Sequence, residues 1–99
     1  MANVDQLTTA FNALNIAGAA TTTVKTGQGV LHSIVINKAV ATGVVTVYDN
    51  TTNSGTKLAT ITQPAAVVQS QDTLVYDCLF SIGLTIVTSA ADDITVTYK

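Results

Sequence analysis

From Thr21 onward, apolar and polar residues alternate with a period of two, and the alternation is broken at regular intervals by short runs of Gly, Asn, Asp and Ser. Side chains of a strand point alternately to its two faces, so this spacing predicts half-buried β-strands joined by turns. The most prominent stretch is GVLHSIVINKAVATGVVTVYD, residues 29–49. It reads as two strands, Val30 to Asn37 and Val44 to Asp49, with Val30, His32, Ile34 and Ile36 on one face of the first and Leu31, Ser33, Val35 and Asn37 on the other. Further strands are expected at Thr21 to Lys25, Lys57 to Thr62, Leu74 to Phe80, Leu84 to Thr88 and Asp93 to Lys99, with a short edge strand at Ala65 to Val68. Leu74, Tyr76, Cys78 and Phe80 share one face of their strand, and Ile94, Val96 and Tyr98 one face of theirs. Seven to eight short strands separated by frequent turns indicate an all-β, antiparallel β-sandwich of jelly-roll or Greek-key type.

The first residues follow a different rhythm. Val4, Leu7, Phe11 and Leu14 recur at intervals of three and four, Asn3 and Gln6 have the spacing of a capping box, and Gly18 is placed to close a helix. The spacing predicts a short helix or arm over Asn3 to Ala17, and a division into an N-terminal arm (1–20) and a sandwich domain (21–99). Thr8, Thr9, Asn12 and Asn15 are mediocre helix formers, so such a segment needs a surface to pack on. Val4, Leu7, Phe11 and Leu14 are its expected assembly contacts.

Composition agrees with strands. The chain of 99 residues has no Trp, Arg or Glu and relies on threonine, whose branched, uncharged side chain suits the exposed face of a sheet. One domain of this size buries roughly 64% of the surface its unfolded chain exposes, so self-association would help it. Ten charged residues and a net charge of −2 leave no basic patch for phosphates, which argues against nucleic acid as a partner. No apolar run approaches the roughly 18 residues that span a bilayer, and the start MANVDQ has no signal-peptide pattern. The expectation is a protein made in a cytoplasm, with a low-charge surface partly covered by a partner.

Candidate chemistry is sparse. Cys78 and His32 are each the only residue of their type, the minimum for a thiol nucleophile and its base, but Cys78 falls between Tyr76 and Phe80 on an apolar face. His32, on the reading above, shares a face with Ile34 and Ile36 and is expected buried or at an interface with one hydrogen-bond partner. One Cys and one His are too few for a structural zinc site. The loop DNTTNSG, residues 49–55, has alternating oxygen ligands but no Glu to close a calcium site. Asp49, Asn50 and Asn53 in that loop, and Asp92 in the loop at 89–93, are the expected loop contacts. No cofactor and no metal are expected, and no catalytic residue is assigned.

The segments VKTGQGVLHSIVIN (24–37), VTVYDNT (45–51), SGTKLATI (54–61), LVYDCLFSIGLTIVT (74–88) and DITVTYK (93–99) resemble small β-sandwich virion proteins of tailed bacteriophages, of the capsid decoration, cement or head-fibre kind. The resemblance implies a non-enzymatic structural protein that binds the outside of a phage head. It also implies a homotrimer with the major capsid protein as partner and the virion as location. The alternative is a head-fibre or tail-associated module that binds host glycans through the loops at 49–56 and 89–93, because jelly rolls serve capsids and lectins alike.

Overall fold

The computed structural model describes residues 10–66 and 72–99. They form eight strands: β1 (Asn12–Ala17), β2 (Ala20–Thr26), β3 (Gly29–Lys38), β4 (Val44–Asp49), β5 (Thr56–Thr62), β6 (Asp72–Phe80), β7 (Gly83–Thr88) and β8 (Asp93–Tyr98). Every pairing is antiparallel, and the strands make a front sheet of order β1-β8-β3-β6 and a back sheet of order β2-β7-β4-β5. The pairs β4–β5, β3–β6, β2–β7 and β1–β8 are successive rungs of one long hairpin. Rolling that hairpin up brings β8 beside β3 and β7 beside β4. This is the jelly-roll arrangement of two Greek keys in a β-sandwich.

The core lies between the sheets. Ile16, Leu31, Ile34, Ile36, Ile94 and Val96 face inward from the front sheet, Val45, Val47, Leu84 and Ile86 from the back, and Phe80 closes one end. Each is worth about 1.5–3 kcal/mol when fully buried, so this cluster is the main force holding the two sheets together. Tyr76, Cys78 and Tyr98 pack against it, on the faces their alternation predicts.

The N-terminal reading is corrected for the residues described. Residues 12–17 are not helical but form β1, paired along its length with β8, from Asn12 opposite Tyr98 to Ala17 opposite Asp93. Leu14 and Ile16 also fit a period of two, and as a strand both reach the core while the open edge of β8 gains its hydrogen bonds. Leu14 is therefore half-buried against the core, on the inward side of a strand rather than on the face of a helix. Gly18, expected to close a helix, turns β1 into β2 with a φ of 94°, a conformation glycine adopts without cost. The sandwich thus begins before residue 21. Val4 and Leu7 lie outside the described residues, as do residues 67 and 68 of the expected edge strand; Ala65 and Ala66 lie outside the strands.

Candidate functional site

In β3 the apolar phase breaks. Leu31 points inward, the polar pair His32 and Ser33 follows, and the inward set resumes at Ile34 and Ile36. The register shows why: Leu31 pairs with Cys78 and Ser33 with Val75, so His32 alone stands opposite Tyr76 and Asp77 in a β-bulge. On the other side Leu31 pairs with Tyr98 and Ser33 with Thr97, which leaves His32 as the extra residue. The bulge moves His32 out of the row of Ile34 and Ile36 onto the outer face of the front sheet, where its side chain is 34% exposed. Val30, assigned to that same row by simple alternation, lies beside Leu79 on the outer face. These two assignments are corrections, and their cause is one residue of register.

Four parts of the chain meet around His32 and Phe11. Its Nδ1 contacts the carboxylate of Asp77. Asp77 has a φ of 47°, a left-handed conformation that Asp tolerates better than most residues. The Phe11 ring lies flat on the imidazole, with centroids 4.1 Å apart and planes 9° from parallel. Lys99 Nζ stands 5.9 Å from the Phe11 centroid. The stack is worth about 0.5–1.5 kcal/mol and an exposed histidine–carboxylate contact no more than about 1 kcal/mol, so the cluster fixes the entry into β1 more than it stabilises the fold.

The same face carries a polar ladder and an apolar patch. Asp93 accepts hydrogen bonds from the side-chain amides of Asn15 at 2.7 Å and Asn37 at 3.0 Å. Those two amides, and Lys38 more weakly, hold its carboxyl below the usual range. Ser33 and Thr97 share a hydrogen bond of 2.5 Å across β3 and β8. Toward the β6 edge the surface turns apolar: Leu79 is 77% exposed, Val75 61% and, in the turn after β6, Ile82 57%.

The predicted loop contacts sit at opposite ends of the sandwich and serve the protein's own backbone. Asp49 accepts hydrogen bonds from the backbone N–H groups of Ser81 (2.9 Å), Ile82 (2.9 Å) and Gly83 (3.4 Å), and so fastens the β6–β7 turn to the end of β4. The N–H groups of Ile82 and Ser81, with that of Gly83, lower its carboxyl pKa. Asn50 accepts from Thr51 N–H and donates to the carbonyl of Ser54, closing its own loop. Asn53 is exposed on that loop. Asp92 is no surface contact at all: it is fully buried, and its Oδ1 accepts from Val40 N–H at 2.7 Å. Its Oδ2 has no hydrogen-bond partner and packs against Gly43, where an added Cβ would lie 3.0 Å from it.

Cys78 and His32 do not form a pair for catalysis. Cys78 packs toward the core whereas His32 lies on the outer face. Burial pushes the Cys78 thiol above its ordinary pKa, and the carboxylates of Asp77 and Asp49 add to the effect. A thiol held neutral in this way is a poor nucleophile.

Of the predicted assembly contacts the structure places Phe11 on the exposed face of the front sheet. Sequence reasoning missed Val75, Asp77 and Leu79, although the strand alternation already set them opposite Leu74, Tyr76 and Cys78. The signal for the bulge was the pair of consecutive polar residues, His32 and Ser33, between Leu31 and Ile34. No protein-family model, curated protein or solved structure matches this chain. What fold and surface define is a jelly-roll β-sandwich whose described residues include four exposed large apolar side chains, Phe11, Val75, Leu79 and Ile82.

Proposed function

We propose that this chain is a non-enzymatic structural protein of a virion, a decoration protein that docks on the outside of a phage head and reinforces it. The observation that carries the reading is the division of labour among its polar groups. Asp49, Asn50 and Asp92, the loop residues best suited to a ligand, bind backbone groups of the protein itself, whereas large apolar side chains stand outside. Such a molecule is built to present a stiff wall and to cover surface, not to turn over a substrate. The resemblance to phage decoration proteins supplies the partner, the major capsid protein, and the expected assembly, a homotrimer produced in the host cytoplasm.

The segment before β1 makes the capsid contact in this reading, with Val4 and Leu7 as its apolar residues. Cosedimentation of the purified protein with empty heads tests it. Saturable binding, reduced at least tenfold by deletion of residues 1–9, is the expected result. Failure of the full chain to bind heads under any salt condition overturns the function. Undiminished binding after the deletion overturns the role of the segment.

A further inference from the structure

We propose that one water molecule is bound inside the sandwich where the β3–β4 loop, the β7–β8 turn and the end of β5 come together, accepting a hydrogen bond from Gln63 Nε2 and donating one to Asp92 Oδ2. The inference goes beyond the docking reading and is independent of it.

Two polar atoms are the first argument. Among the described residues, Gln63 Nε2 and Asp92 Oδ2 are the buried side-chain atoms that have no hydrogen-bond partner in the chain. Burying a polar group unpaired is costly, and nearly all such groups in native proteins are paired with protein or with ordered water. One of the two is a donor and the other an acceptor.

Register is the second, because it makes them neighbours. Val45 stands opposite Ile61, and both side chains pack into the core from the back sheet. Two residues further along each strand direction the pair is Gly43 and Gln63, where Gln63 N–H donates to the Gly43 carbonyl at 2.8 Å. Alternation therefore puts Gly43 and Gln63 on that same inner face. The Asp92 carboxyl lies against Gly43 from within: a Cβ added there would be 3.0 Å from Oδ2, 3.1 Å from Oδ1 and 3.1 Å from the carbonyl oxygen of Val40. Cβ atoms of a cross-strand pair stand about 4.5–5.5 Å apart, so Gln63 starts beside this cluster of oxygens, with no side chain on Gly43 to part them.

The third argument selects the ligand. A cation can serve the carboxyl oxygen but not an N–H donor, and an anion can serve the donor but not the oxygen. Water does both. Buried waters typically make about three hydrogen bonds, and the Val40 carbonyl, which accepts from Gly43 N–H at 3.0 Å, keeps a second lone pair for the third. Asp92 is otherwise committed, its Oδ1 to Val40 N–H and its main-chain carbonyl to Gly18 N–H. The water extends that tie to the end of β5.

A crystal structure of the full chain, at a resolution that shows ordered water, is the test. One peak within about 3.2 Å of both Gln63 Nε2 and Asp92 Oδ2 is expected. Gln63→Leu, similar in size and without the donor, is expected to lose that water and to keep the bond from Val40 N–H to Asp92. A direct hydrogen bond between Gln63 and Asp92, a partner for either atom elsewhere in the chain, or no peak at all overturns the site, and the wild-type structure alone decides this. A peak about 2.3–2.6 Å from Asp92, with Gln63 turned to offer Oε1, is a bound cation and overturns it too. A water that stays unchanged in Gln63→Leu shows that the amide does not hold it and overturns the bridge.

Discussion

The outer faces of the two sheets obey the same strand alternation and yet present different surfaces. Thr21, Thr23, Thr46 and Thr60 cover the back sheet, on β2, β4 and β5. The front sheet carries Phe11, His32, Asp77, Val75 and Leu79. Threonine satisfies both demands on an exposed strand residue, a branched side chain for the pleated surface and a hydroxyl for water. A threonine face is complete alone. The front face differs, because Leu79 and Val75 stand largely exposed and the hydrophobic gain of their burial is not realised within the chain.

That contrast can be broken at several points. The largest effect belongs to the inner side of β3. Ile34 is fully buried, and Ile34→Ala is expected to lower unfolding free energy in urea by about 2–5 kcal/mol. Val75→Ala, on the outer side of the same sheet, should change it by less than about 0.5 kcal/mol with the protein kept monomeric. Equal losses would mean that the front face is not a surface of the fold.

Next in size is Asp92. Asp92→Ala strands the N–H of Val40 and is expected to cost about 1–3 kcal/mol. Asp92→Asn keeps an acceptor for the N–H of Val40, so denaturation should show a smaller loss than for Asp92→Ala. A larger loss for Asn than for Ala would show that the unpartnered Oδ2 is held by something the fold requires.

His32→Ala removes the support of Phe11 and the partner of Asp77 together, at about 1 kcal/mol. Its signature is loss of the ring-current shift on the Phe11 protons, which a purely global destabilisation would not produce. Thr46→Ala on the back sheet should stay within about 0.5 kcal/mol and move no aromatic resonance.

The smallest effect is electrostatic. Hydrogen bonds in the folded state lower the carboxyl pKa of Asp49 and of Asp93 below 3.8. Unfolded chains therefore bind protons at these groups first, and the stabilisation is present above about pH 3.8 and is lost as pH falls through the folded values. Melting temperature against pH should show a shallower acid slope for Asp49→Asn and for Asp93→Asn than for the wild type. An unchanged slope in both would place acid sensitivity elsewhere.

Much of the fold is legible in the sequence, and the reason is the short range of the signal. Seven of the eight strands follow from alternation and turn residues, and the inward set of β8 is already spelled out by Ile94, Val96 and Tyr98. The alternation also separates Val75 and Leu79 from the inward row of β6, although their exposure depends on β6 being an edge. Misreadings arise where a distant partner decides. Residues 11 to 16 satisfy a helical spacing and a strand spacing at once, and only the open edge of β8 selects the strand. Asp49 and Asp92 are both aspartates at the borders of polar loops, yet one caps a turn in the open and the other is sealed against Gly43.

Sequence by itself determined an all-β sandwich rich in threonine, because propensity and period are properties of neighbouring residues. Tertiary structure alone decided the jelly-roll order of the strands, since pairing is chosen among edges far apart in the chain. It also decided the outward turn of His32. An inserted residue reveals itself as a bulge only against the strands beside it, and β6 and β8 set that register.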